Sequence, residues 1–357
     1  MQYAIVLEFN SWTLRNLSSS PCHYQSNRAK SRGRYLRDEC GVRMKSPYVS
    51  DLPRSASLLV VLGAAAALAV AAAAAPHEVS VDDTQVFPES ITTLTDGTVI
   101  FSSALKPFIY RSAPTSTRAE RWIEVKGEGR VSSAGVLADP GTQTLWTCIM
   151  QQTGAPAAGP LAGHTALRAY DLGSGRLKAS YSLPDERNLC NDIAVGPDNS
   201  VYASDSFNSR IMRLAPGARA LRIWLQDKRL ENVNGLTFLG ADLYANSTTT
   251  NHIYRIPSNP DGSAGALVDL KLSQPINAPD GMRAYRGRIY LAEPREGRVS
   301  QLIIRGDTAT ITVLKSGFEF PTAVSPVADG VWVCESRLNH IRDADPGTFK
   351  AYELLDE

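Results

Sequence analysis

The chain has 357 residues, with 37 Lys and Arg against 36 Asp and Glu and a formal net charge of +1. So even a balance offers neither a polycationic surface for nucleic acid nor an acidic face for a basic partner. Five cysteines without a CxxC pair argue against a zinc site.

Residues 1–43 mix Arg, Lys, Ser and Asn without apolar periodicity. They read as an unstructured extension, or as sequence upstream of a true start at Met44. Residues 44–75 read as a secretory signal. Lys45 and Arg54 precede an almost unbroken Leu, Val and Ala run from Leu58 to Ala75, and the run ends in an Ala-x-Ala pattern. Pro76 disfavours a cut directly after Ala75, so the mature protein is expected to begin near residues 73–76, outside the cytoplasm, in the periplasm or secreted. An apolar run of this length could also just span a bilayer, which keeps an uncleaved anchor as the alternative.

From residue 76 to 357 the chain repeats one pattern six times. A small polar knot precedes a hydrophobic step: PESIT at Glu89, SSAGV at Ala134, CNDIA at Asn191, VNGLT at Asn234, PDGMR at Asp280 and PTAVS at Thr322. About ten residues later comes a strand ending in small polar residues, as in DGTVIFSS, NSVYASDS and GRIYLAEP. Each repeat yields four segments of strand alternation separated by turn residues. A period in the forties built this way predicts an all-β, six-bladed β-propeller with four-stranded antiparallel blades. HIRDA and FKAYELL are expected as the last two strands of the sixth blade. HEVSVDDTQVF, before the first repeat, or FKAYELL at the other end could close the ring; the pattern leaves this open. Residues 151–164 are rich in Gly, Pro and Ala and read as a flexible loop beside the channel mouth. Beyond residue 76 the cysteines are Cys148, Cys190 and Cys334, an odd number that argues against a disulfide framework. Cys148 and Cys334 read as buried small hydrophobes.

Blades arranged round an axis bring equivalent positions together. The knot register holds Glu89, Ala134, Asn191, Asn234, Asp280 and Thr322. Two carboxylates and two amides are hard-oxygen ligands for one divalent cation, with open positions left for water and substrate. The plainer reading is structural: DG and NG favour tight turns, Asn191 suits a cap, and Asp192 suits a turn. No G-x-S-x-G elbow supports a serine hydrolase.

The motifs PES, CND, VNGL and PDGM, in order and in register across residues 85–340, resemble those of the senescence-marker-protein/gluconolactonase, or regucalcin-like, family. The resemblance implies a six-bladed propeller whose cation is held by Glu89, Asn234 and Asp280, with Asn191 and Asp192 beside the substrate. It implies hydrolysis of a lactone or sugar-derived ester, with Asp280 as the catalytic carboxylate. The cation, calcium, magnesium, manganese or zinc, is left open. Two departures stand out: Leu189 lies where the family often carries a substrate-binding Arg, and Ser90 replaces a Gly. The alternative, from another class, is a non-catalytic, NHL-like binding propeller in which the metal is structural or absent. Neither reading involves nucleic acid or lasting membrane association after signal cleavage.

Overall fold

The computed structural model describes residues 77–152, 163–185 and 187–355. The extension at 1–43, the signal at 44–75 and most of the 151–164 insertion lie outside them.

Short runs rich in Val, Ile, Tyr and Thr, punctuated by Gly, Asn and Asp, become strands because each can bury both faces between neighbours. The described strands form five sheets that divide into six four-stranded antiparallel groups, two of them joined in one eight-stranded sheet, while Lys271–Leu272 adds a fifth strand to one group, parallel to Thr308–Ser316. The first blade is Ile91–Thr93, Val99–Phe101, Phe108–Ser112 and Arg118–Glu124. The second is Arg130–Asp139, Thr144–Gln152, Gly163–Asp171 and Leu177–Ser182. Cys190–Val195, Val201–Asp205, Arg210–Leu214 and Arg222–Gln226 form the third. Val233–Leu239, Asp242–Ser247, His252–Ile256 and Val268–Asp269 form the fourth. The fifth holds Met282–Tyr285, Arg288–Glu293, Arg298–Arg305 and Thr308–Ser316. The turn joining its first two strands carries Arg286 and Gly287 at φ of 48° and 79°, the positive pair that a tight hairpin needs.

The sixth blade departs from the sequence expectation. Its strands are Pro321–Val327, Gly330–Glu335, Lys350–Leu355 and, from the other end of the fold, Glu78–Val81. HIRDA is not a strand: Leu338–His340 is a 3₁₀ turn, and the polar, Pro-containing stretch after it has no apolar alternation to pair. FKAYELL is therefore the third strand, and Glu78–Val81 is the closing fourth. That closing strand pairs antiparallel with Lys350–Tyr352 and parallel with Arg118–Ala119, which joins the last blade to the first.

Successive residues of a strand face opposite ways, so each second strand feeds two cores. Val201 and Ala203 pack towards the second blade, whereas Tyr202 packs towards the fourth. The same alternation sets Leu243 apart from Tyr244 and Ile289 apart from Tyr290. The outcome is six apolar clusters, one between each pair of neighbouring blades, including the sixth and the first. Trp146 and Trp332 belong to these clusters, as inter-blade packing predicts.

The cysteine expectation is corrected. Cys148 and Cys190 form a disulfide, and only Cys334 is free and buried among the described residues. Their separation of 42 residues is about one repeat, so the fold sets them in adjacent blades, with Cα atoms 5.2 Å apart. Counting cysteines could not show this, because the period of the fold makes the pair.

Candidate functional site

Each knot lies at or just before the start of a blade's first strand, except Ala134, which is the fifth residue of Arg130–Asp139. At Ala134, Asn191, Asn234 and Thr322 the pairing with the second strand slips by a β-bulge. Glu89 and Asp280 fall just before their strands start. A bulge releases a residue from the ladder and re-aims its side chain. Polar residues of the second strand then hold the freed backbone. Ser102 Oγ accepts from Ser90 N–H at 2.8 Å, Ser204 Oγ from Asp192 N–H at 2.8 Å, and Asn246 Oδ1 from Gly235 N–H at 3.1 Å. These are the small polar strand ends visible in the sequence.

The glycines that follow the knots serve close packing rather than turns. A Cβ on Gly135, Gly235 or Gly281 would strike the carbonyl oxygen of Asn191, Asp280 or Thr322 in the next blade. None of the three has a left-handed φ. The D-G and N-G turn readings are therefore replaced by a contact that only a residue without a side chain allows.

Glu89, Asn191, Asn234, Asp280 and Thr322 converge on one small cavity of about 10 Å³, which Asp192 also lines. Ala134 does not line it. Asn234 hydrogen-bonds the Asp280 carboxylate. Asn191 Nδ2 donates to Ser206 Oγ at 3.1 Å, which leaves the amide oxygen of Asn191 for a guest. Burial pushes Asp280 up to about 8, helped by the Asp192 charge and opposed by hydrogen bonds from Asn234 and the Gly281 N–H. Burial, then the charges of Asp280 and Asp192, push Glu89 well above the usual carboxylate range, and Arg283 offsets part of this.

Asp192 is committed elsewhere. Its two oxygens take Arg283 at 2.7 and 2.8 Å, and one also accepts from Leu236 N–H at 2.9 Å. Burial works against the Arg283 charge, but the charge and hydrogen bonds of Asp192 outweigh it. Arg283 was missed in the sequence, although a signal was present. Three residues after each knot stand Thr92, Leu137, Ala194, Thr237, Arg283 and Ser325, so one position in six is charged. One residue after each knot stand Ser90, Gly135, Asp192, Gly235, Gly281 and Ala323, and again one is charged. These two exceptions to the repeat pair with each other.

With Arg283 bound to Asp192, no salt bridge reaches Glu89 or Asp280 among the described residues, and Arg283 acts on Glu89 only as a nearby charge. Two such carboxylates and an all-oxygen donor set fit one divalent cation. No three His, Cys, Asp or Glu side chains group as metal ligands among the described residues. Here half of the candidate donors are amides, and the third acid faces Arg283.

The other acids at strand ends are structural. Asp205 accepts from Leu189 N–H at 2.9 Å and pairs with Arg210 at 2.8 Å. Glu293 binds Asn277 N–H, Ser300 and Arg298, and Glu335 takes Glu319 N–H at 2.6 Å. His252 pairs with Asp269, and His340 with Asp343 and Glu319, all at the surface. His164 is exposed.

No family model matches the chain, and no curated protein matches its sequence. Solved structures that resemble it include a proposed gluconolactonase, with TM-score 0.57 and 16% identity over 80% of this chain and 94% of that one. A luciferin-regenerating enzyme gives TM-score 0.54 and 12% identity over 76% and 92%. A streptogramin B lyase gives 0.52 and 15% over 78% and 97%. The fold is a β-propeller.

Proposed function

We propose that the protein is an exported, cation-dependent hydrolase of a small lactone or sugar-derived ester. The observation that carries this is the meeting of Glu89, Asn191, Asn234 and Asp280 at one cavity, where neither carboxylate has a salt bridge among the described residues. A proposed gluconolactonase of the same fold supports the choice of substrate class. Glu89, Asn234 and Asp280 would hold the ion, and calcium, magnesium, manganese and zinc are all candidates. A divalent cation there would polarise a carbonyl and acidify a water. Asn191 orients the substrate through its free amide oxygen. Asp280 accepts the proton of the attacking water as a C–O bond forms at the lactone carbonyl. The ring C–O bond then breaks, and the leaving alkoxide takes that proton. Asp192, held by Arg283, acts on the substrate only through the position of the third knot.

Two features support export: the Leu58–Ala75 run, and a Cys148–Cys190 disulfide of the kind kept in oxidising compartments. N-terminal sequencing from the native host is expected to start near residues 73–76. An intact Leu58–Ala75 segment on cytoplasmic protein would end the export reading.

The test of function is calorimetric titration with each of the four cations, followed by acid release from a lactone panel with and without chelator. Cation binding without turnover would favour the second reading, a binding propeller with a structural ion. Two observations speak for that reading: the narrow cavity, and a third knot without an Arg at Leu189.

A further inference from the structure

One buried atom of the cavity is left over. Thr322 is 1% exposed and lines the cavity, yet among the described residues its Oγ1 meets no oxygen or nitrogen partner and only the sulfur of Cys334. Its backbone is engaged, since the carbonyl oxygen accepts from Gly281 N–H at 2.8 Å. Cys334 lies beside the hydroxyl, but its thiol is turned to the Pro88 carbonyl oxygen at 3.6 Å, and a thiol sulfur is a weak acceptor. The neighbours Ala323 and Cys334 would accept a valine at this position equally well on packing grounds. A buried hydroxyl without a partner loses its hydrogen bonds with water and regains nothing, so folded proteins seldom keep one.

The position explains the hydroxyl. Thr322 occupies the knot of the sixth blade, between Asp280 of the fifth and Glu89 of the first. The cavity of about 10 Å³ is just large enough for one ion- or water-sized guest, so a guest there touches every polar group that lines it.

We infer that the Thr322 hydroxyl is a fifth polar contact of the cavity, hydrogen-bonded to a water or substrate oxygen that enters with the cation between Asp280 and Glu89. The inference rests on the cation reading above. It assigns Thr322 a role in holding the guest.

The test compares wild type, Thr322→Val and Thr322→Ser by calorimetric titration with calcium, magnesium, manganese and zinc, and by thermal melts in chelator and in cation. Valine keeps the shape and removes the hydroxyl. In chelator Thr322→Val is expected to melt at or above wild type, because an unsatisfied group is gone. Its cation affinity is expected to fall about tenfold, the worth of one hydrogen bond at the upper end of the usual range. The rise in melting temperature on adding cation should shrink with it, and Thr322→Ser should restore both. Equal affinity and an equal cation-induced rise in valine and wild type would overturn the inference while leaving the cation reading intact. A wild type that binds none of the four cations would overturn the cation reading, and this inference with it.

Discussion

Two sets of acids are built into the blades, and they are treated in opposite ways. Asp205, Glu293 and Glu335 end second strands, and each clamps the backbone N–H of the segment leading into its own blade. Asp205 and Glu293 also have an arginine at 2.8 Å. Glu89 and Asp280 begin first strands, face a cavity and have no cation of their own. Fully paired buried acids hold a fold, whereas buried acids left unpaired hold strain that a guest can relieve. Asp192 shows that location alone does not decide the matter. It lies at a knot, yet it belongs with the paired set because Arg283 takes both of its oxygens.

The largest effect expected from this contrast is in Asp280→Ala. Lactone hydrolysis should fall to background and cation binding by more than about 100-fold, while the melt in chelator stays at or above wild type. Acid release, titration calorimetry and circular dichroism check the three parts. A mutant that keeps its rate would remove Asp280 from the chemistry.

Glu293→Ala should do the reverse. It leaves the Arg298 charge without its partner, so stability should drop by about 3–5 kcal/mol in a denaturant melt. Cation affinity should stay within about twofold of wild type. A loss of cation binding without a loss of stability would dissolve the distinction between the two sets.

The disulfide belongs to the paired, structural side, although Cys190 adjoins Asn191. Closing a loop across 42 residues is worth roughly 4 kcal/mol in the chain-entropy account, so Cys148→Ala with Cys190→Ala should lose about 2–4 kcal/mol. Reduced and oxidised wild type, melted side by side, give the same comparison without mutation.

The smallest effect is one of pH. Folded Asp280 keeps its proton up to about 8, whereas the unfolded chain loses it near 3.8. In chelator its contribution therefore favours the folded state below about pH 4 and fades as pH rises towards 8. Glu89 acts in the same direction. A cation must displace these protons, so the rise in melting temperature it brings should be several degrees larger at pH 8 than at pH 5. A cation-induced rise that is flat across this range would place the ion away from these two acids.

The repeat made much of this legible beforehand. A fixed period puts Glu89, Asn191, Asn234 and Asp280 in one register, and register becomes convergence once the blades close on an axis. Three features lay beyond it, each for a physical reason. The Cys148–Cys190 pairing depends on contact between blades, which residue counting within the chain does not see. The Asp192–Arg283 pair crosses from the third blade to the fifth, so neither residue announces the other locally. The glycines after the knots look like turn formers, and their real constraint is a carbonyl oxygen in the next blade. The sixth blade was misread at one strand because HIRDA copies the rhythm of a strand without its apolar faces.

The pairing of Glu78–Val81 with Lys350–Leu355 also sets an order of events. A ribosome makes the closing strand first and its partner last. Until the last strand has emerged, the ring stays open, and residues 78–81, which can already pair with Arg118–Ala119, lack their antiparallel partner. Five of the six seams between blades can form as the chain lengthens, but the last cannot. The ring is therefore locked only when segments near both ends of the described chain have met.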